Sequence, residues 1–207
     1  MMMEANTKEK ILAAASELFA KDGYNGISVR AIARAVGITE GSIYNHFVSK
    51  EEIMDEILTR HEQELERAVP SSRELIDSYG REGWKPAWAV RAKLMETAPA
   101  SSGLHIILIL MNEQYRSEKA RNIVTKYYME EPVRVTCDLL RHIEAQGKPL
   151  PGDAMTLARA YQYPIFCMLQ EYEMTVSLGG DVAPVLQKIQ DHVAFFWKNI
   201  MKIDYDE

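Results

Sequence analysis

The sequence predicts an all-α chain of about nine or ten helices, and three of its features carry that prediction. Apolar residues recur at i, i+3, i+4 and i+7 in successive segments, beginning with Ile11, Ala14, Ala15, Leu18 and Phe19. Capping residues stand immediately ahead of these stripes, and glycines or prolines follow them. No segment combines two-residue alternation with hairpin turn chemistry, the signature of paired strands.

The first helix is expected from Lys8 to Asp22, with Thr7 as N-cap and Gly23 as its stop. Three further starts share one chemistry. Ser28 caps a second helix between Ile27 and Ile32, and Thr39 caps a third between Ile38 and Ile43. Ser49 caps a fourth between Val48 and Ile53, and Glu52 completes a Ser-x-x-Glu capping box. Each start pairs an N-cap with a hydrophobic staple, which sets the angle at which the chain enters its helix.

The second and third helices are short and nearly adjacent. Ala33 permits close crossing, Gly37 accepts a positive φ in the turn, and Ile32, Val36, Ile38 and Ile43 supply an inner face. This is the pattern of a helix-turn-helix, whose second helix enters the DNA major groove. The outward residues of Thr39–Phe47 suit that role. Ser42 and Asn45 can exchange hydrogen bonds with base edges. Tyr44 and His46 can donate to phosphate, and Lys50 adds a cation at the start of helix four. Gly41 lets the backbone approach the sugar-phosphate wall. Glu40 is discordant, since a carboxylate repels phosphate; it can accept from a cytosine amine or complement the helix dipole. A plain three-helix packing module, with Tyr44 and Phe47 as core aromatics, is the competing reading.

On these residues the segment resembles the DNA-binding domain of the tetracycline-repressor (TetR) family of bacterial regulators. The matching stretches are Ile11-Leu12-x-Ala14-Ala15-x-x-Leu18-Phe19, Gly23-Tyr24, Ser28-Val29-x-x-Ile32-Ala33 and Gly37-Ile38-Thr39-x-Gly41-x-Ile43-Tyr44-x-His46-Phe47, followed by Ser49-Lys50-Glu51. The resemblance covers residues 7–55. It implies a DNA-facing set of Ser28, Arg30, Thr39, Glu40, Gly41, Ser42, Tyr44, Asn45, His46 and Lys50. Within that set Arg30, Ser42 and Asn45 read bases, while Tyr44, His46 and Lys50 meet phosphate. It further implies a DNA-binding domain over 1–50, and a helical effector-binding and dimerisation domain over 51–207.

Downstream, helix four should reach Val69 before Pro70, and Ser71-Ser72-Arg73-Glu74 offers a capping box for a short helix ending near Gly80. Helices are expected from Pro86 to about Ala98 and from Leu104 to Tyr115. A long one runs from Glu118 to Gln146 with a kink or break near Met129, ahead of Pro132. Gly147–Gly152 is the clearest loop. Asp153 caps the next helix, which reaches Leu178 with a kink at Pro164, and Asp181 caps the last, ending near Met201.

The last two helices are apolar on more than one side: Ile165, Met168, Leu169, Tyr172 and Val176 on the first, and Val185, Ile189, Val193, Phe196 and Trp197 on the second. One face can meet the body of the chain, which leaves another wanting cover. A single thick monomeric core is the alternative to the homodimer the family builds there. The resemblance also implies a small-molecule effector site in the middle helices. Candidate lining residues are Trp84, Trp88, His105, Met111, Asn112, Tyr115, Tyr127, Tyr163, Phe166 and Gln170, though such residues at helical spacing are often only core.

Composition limits the other classes. With 207 residues, 47% hydrophobic and 26% charged, the chain has material for one large globular domain or two small ones. Its two cysteines are too few for a disulfide scaffold, and Cys137 and Cys167, in apolar-periodic stretches, read as reduced core residues of a cytoplasmic protein. The longest apolar run, Ile106–Met111, falls far short of the ~20 residues a bilayer span needs, and Met1–Lys10 lacks a secretory apolar stretch. The net charge of −6 is uneven: residues 1–50 hold six basic and five acidic side chains, the remainder eighteen and twenty-five. An acidic body with a less acidic head is compatible with local DNA binding.

No enzyme is expected. Phosphate-binding glycine motifs are absent, and His61-Glu62-Gln63-Glu64-Leu65 lacks the second His of a zinc-protease motif. Gly37-Ile38-Thr39-Glu40-Gly41 mimics a nucleophile elbow but follows a helix where that motif needs a strand. The five histidines show no ligand spacing, so neither metal nor cofactor is expected. A protein-interaction module and an effector-dependent activator remain as alternatives to a repressor.

Overall fold

The computed structural model describes residues 2–82 and 102–203, with only the backbone of 2–6, 68, 82 and 102–105. The helix expected from Pro86 to Ala98 lies outside the described residues, as do Trp84 and Trp88. Every regular element described is helical. None of these helices is long and apolar enough to cross a membrane.

The elements are α1 (Met2–Asp22), α2 (Val29–Val36), α3 (Glu40–Tyr44), α4 (Lys50–Ala68), α5 (Ser72–Glu82), α6 (Ser102–Glu113), α7 (Glu118–Ile123), α8 (Glu131–Ala145), α9 (Ala154–Ser177) and α10 (Ala183–Phe195). The π-helical turns Val124–Glu130 and Phe196–Ile200 follow α7 and α10. The chain divides into two compact units, Met1–Glu66 with Ala98–Val124 and Arg67–Thr97 with Thr125–Glu207. The first unit is broader than the head expected over 1–50, because it includes most of α4 together with α6 and α7.

Capping chemistry decides most helix starts. Ser28 Oγ accepts from Ala31 N at 3.2 Å, Thr39 Oγ1 from Ser42 N at 3.2 Å, and Ser49 Oγ from Glu52 N at 3.2 Å. The capping box at α5 is complete in both directions: Glu74 N donates to Ser71 Oγ at 3.2 Å and Ser71 N to Glu74 Oε2 at 2.8 Å. At α4 the Glu52 carboxylate reaches back to Val48 N rather than to the cap residue itself.

Two expected starts are corrected. Thr7 lies inside α1, because the preceding Met, Glu and Ala residues are good helix formers and extend the helix back to Met2. Asp181 is not the N-cap of α10: Val182 holds that position without a side-chain bond, while Asp181 Oδ1 accepts from Ala183 N at 3.0 Å.

The break expected ahead of Pro132 takes a specific form. Pro132 occupies the first turn of α8, and the preceding residues Val124–Glu130 widen into a π turn. A proline has no N–H to bond back and its ring crowds the carbonyl four residues earlier, so the ladder loosens there. Pro164, by contrast, lies within an uninterrupted α9.

In the first unit Ile11, Ala15, Phe19, Ile32, Ile43, Phe47, Ile53 and Leu58 are almost wholly buried, together with Ile109 and Leu110 of α6. The second unit is organised around Trp197, which is fully buried and packed edge-on against Tyr161 and Phe196 at ring separations of 5.8 and 5.6 Å. Val185, Ile189, Val193 and Phe196 join that core, so this face of α10 is spent inside the chain. Tyr163, Met174, Leu178 and Phe195 of the last two helices remain exposed. Cys137 is buried as expected; Cys167 is exposed, because it shares the outward face of α9 with Tyr163 rather than the inward face with Ile165.

Candidate nucleic-acid interface

The helix-turn-helix rests on α2 and α3. Gly37 closes α2 with φ +76°, and its N–H bonds back to the Ala33 and Arg34 carbonyls. Two residues later Thr39 begins α3, so the helices are joined by the shortest of turns. Ile32 and Ala33 of α2 and Ile43 of α3 are buried, with Phe47 beneath the turn that follows. The buried residues settle which side faces outward.

Glu40, Gly41, Tyr44 and Asn45 are exposed, with Tyr44 half accessible although it is a large aromatic residue. A Cβ added at Gly41 would meet only Thr39 Oγ1, at 3.9 Å, and Gly41 has no positive φ. Nothing within the chain therefore requires glycine here, as expected if the constraint is a surface outside it. His46 is half-buried at the rim. Ser42 is also half-buried, and its Oγ lies 2.8 Å from Thr39 Oγ1. Both hydroxyls belong to the cap, which restricts the orientation in which either can meet a base. Ser28 is held in the same way by its cap bond to Ala31.

Arg30 is exposed, and so is Arg34 one turn further along α2, a residue absent from the expected set. Neither guanidinium has a hydrogen bond or ion pair among the described residues. Together with Ala33, Ile38 and Glu40 they line a shallow cleft of about 410 Å³. Two unpaired cations at i, i+4 form an electrostatic seat for phosphate, which the Glu40 carboxylate in the same cleft offsets only in part. That spacing was visible in the sequence and is the signal that could have found Arg34.

Lys50 is not the free surface cation expected. Its Nζ donates to the Tyr24 and Ile27 carbonyls, each at 2.8 Å, and lies 4.1 Å from the centre of the Tyr24 ring. Two of its three N–H bonds are thus spent on the α1–α2 loop, which leaves one for any phosphate.

The expected effector residues do not converge within one unit. Met111, Asn112 and Tyr115 fall in the first, and Tyr127, Tyr163, Phe166 and Gln170 in the second. Tyr115 is 83% exposed and Tyr127 5%, with Lys126 Nζ donating to the Tyr127 hydroxyl at 2.8 Å. His105 lies on α6, and its side chain is outside the description.

A helix-turn-helix is the class of domain this arrangement defines. Residues 11–57 match the family described as bacterial regulatory proteins, tetR family. The transcriptional regulator UidR of Escherichia coli K12 is 38% identical over 78 residues, 37% of this chain and 38% of its own length. The transcriptional repressor KstR2 of Mycobacterium tuberculosis H37Rv is 39% identical over 69 residues, 33% of each chain. The chain therefore matches well under half the length of these relatives. A transcriptional regulator of Saccharomonospora viridis, solved in complex with choline, shares the fold at a TM-score of 0.63 over 95% of this chain and 98% of its own, with 22% identity.

Proposed function

We propose that the chain is a ligand-responsive transcriptional repressor that binds a pseudo-palindromic DNA operator as a homodimer and is released by a small-molecule effector. The observation that carries this reading is the outward face of the helix-turn-helix: Tyr44 and Asn45 beside an unconstrained Gly41, flanked by unpaired Arg30 and Arg34. Phosphate contacts from the arginines, Tyr44 and His46 would position the head, and Ser42 and Asn45 would read bases.

One short helix contacts few base pairs, so specificity needs a second copy about 34–36 Å away on the same DNA face. Tyr163, Met174, Leu178 and Phe195, 48–80% exposed on the last two helices, support dimerisation through that pair. Head and body would divide near residue 50, with the effector held by the helices beyond it. Repression finds support in the name of KstR2, and control by a small molecule in the choline complex of the Saccharomonospora viridis regulator. The effector would lower operator affinity by as much as it prefers the released arrangement.

Selection from a random duplex-DNA pool at stated salt tests the reading. Enrichment of an inverted repeat is the expected result. Failure to enrich by a folded, ligand-free dimer at low salt would remove the repressor reading.

A further inference from the structure

The first unit contains a second cleft, away from the α2–α3 face, of about 280 Å³. Its walls come from the α1–α2 loop, the opening turns of α4, the end of α6 and the start of α7. Glu113, the last residue of α6, lines it. Glu113 is only 6% exposed, yet its carboxylate has no hydrogen bond or ion pair among the described residues. Its carboxylate lines the cleft at a helix C-terminus, where the backbone dipole disfavours a negative charge and a bound cation would be welcome.

The Tyr24 hydroxyl, which lines the same cleft, is buried, with the Glu51 carboxylate as its nearest polar neighbour. Burial, then Glu51 and Glu113, hold its phenol well above the ordinary range. The available cations do not answer this need. Lys119 is committed to Asp55 Oδ1 at 2.6 Å and to Thr59, and Arg116, whose backbone N–H donates to the Glu113 carbonyl at 2.9 Å, makes no side-chain bond to the Glu113 carboxylate. Met54 and Leu58, 8% and 1% exposed, provide an apolar floor.

We infer that this cleft binds a small primary ammonium compound, its –NH₃⁺ held by the Glu113 carboxylate and the Tyr24 oxygen and its carbon stem laid on Met54 and Leu58. The volume lies just below the roughly 300–1,000 Å³ of ordinary small-molecule sites, which limits the ligand to a short alkylamine or diamine. A primary ammonium fits better than a quaternary one, because both facing groups are hydrogen-bond acceptors. The site lies wholly in the first unit and shares no residue with the expected effector set. Its link to the DNA head is Tyr24, whose carbonyl Lys50 holds, so an occupied cleft would steady the loop on which α2 begins.

The test is calorimetric titration of the full chain with n-butylamine at pH 7 and constant ionic strength, without DNA. Saturable binding of one equivalent per chain is expected, weakened about tenfold or more by Glu113→Gln, which removes a charge-assisted hydrogen bond. A Glu113→Gln melting temperature equal to or above that of the parent shows that the variant is folded. Equal affinity in parent and variant overturns the site, as does equal competition by sodium or magnesium. Binding that appears only in Arg116→Ala also overturns it, since Arg116 would then be the internal counter-ion. Operator binding does not enter this measurement, so the two proposals fail separately.

Discussion

The Lys50 ammonium stands 4.1 Å from the centre of the Tyr24 ring while donating to the Tyr24 and Ile27 carbonyls. The first residue of α4 thereby anchors the loop that delivers the chain into α2. The same loop admits no side chain at Gly26, where a Cβ would approach Asp22 O to 2.8 Å. Lys50→Met should lower stability by about 1–3 kcal/mol, from two charge-assisted hydrogen bonds and a cation–π contact. It should also weaken operator binding with no change in the salt dependence. Thermal unfolding and anisotropy titrations across a salt series check this; a slope reduced by about one unit would make Lys50 a phosphate contact instead.

Gly41→Ala should separate folding from recognition. The position has room for a methyl group, and alanine is favoured over glycine in a helix by about 0.5–1 kcal/mol, so the melting temperature should rise slightly. Operator affinity should fall, because the new methyl projects from the outward face. A variant that is more stable and binds equally well would place Gly41 outside the interface.

Arg34→Ala and Asn45→Ala should differ in kind. The first should weaken all duplexes alike and reduce the salt slope by about one unit. The second should relax preference at a single base position, by about 1–3 kcal/mol of discrimination. Binding of each variant to an operator and its single-base mutants distinguishes them, and identical profiles would contradict the sorting.

Phe195→Glu, at a residue 55% exposed, should shift the chain toward monomer in sedimentation at unchanged helicity if the proposed dimer forms there. Cys167 reports on the same covering. Its exposed thiol should react quickly in the Phe195→Glu monomer and slowly in the dimer, whereas buried Cys137 stays inert in both.

Two buried groups give the stability a pH dependence of opposite sign. Burial pushes His61 down from 6.5 to about 4, so the unfolded chain takes up the proton first. Its contribution is intact above pH 6.5 and is lost toward pH 4, by up to ~3 kcal/mol. Burial raises Glu173 from 4.5 to about 7, so its contribution is intact below pH 4.5 and is lost as the pH rises to 7. Denaturant unfolding across this range should show the acid loss vanish in His61→Gln and the neutral-pH loss vanish in Glu173→Gln.

What the sequence determined by itself was local. Ser28, Thr39, Ser49, Ser71 and Asp153 were legible as helix starts because capping depends on a side chain and a backbone N–H two or three residues away. The helix-turn-helix followed from the same local chemistry, with Gly37 in its left-handed turn. Pro132 announced its break because a missing N–H acts on its own turn. Contacts between residues far apart in the chain decided the rest. Lys50 looked like a surface cation until the fold brought two loop carbonyls to it across more than twenty residues. Cys167 and Ile165 share one helix and one periodicity, and only the packing of α9 against α8 and α10 settles which of them is covered. Glu113 carries no local signal in the sequence; its burial in the cleft that Tyr24 also lines exists only once α6 is packed into the first unit. Capping and turn chemistry are written within a few residues, whereas burial and charge pairing depend on which distant segments the core brings together.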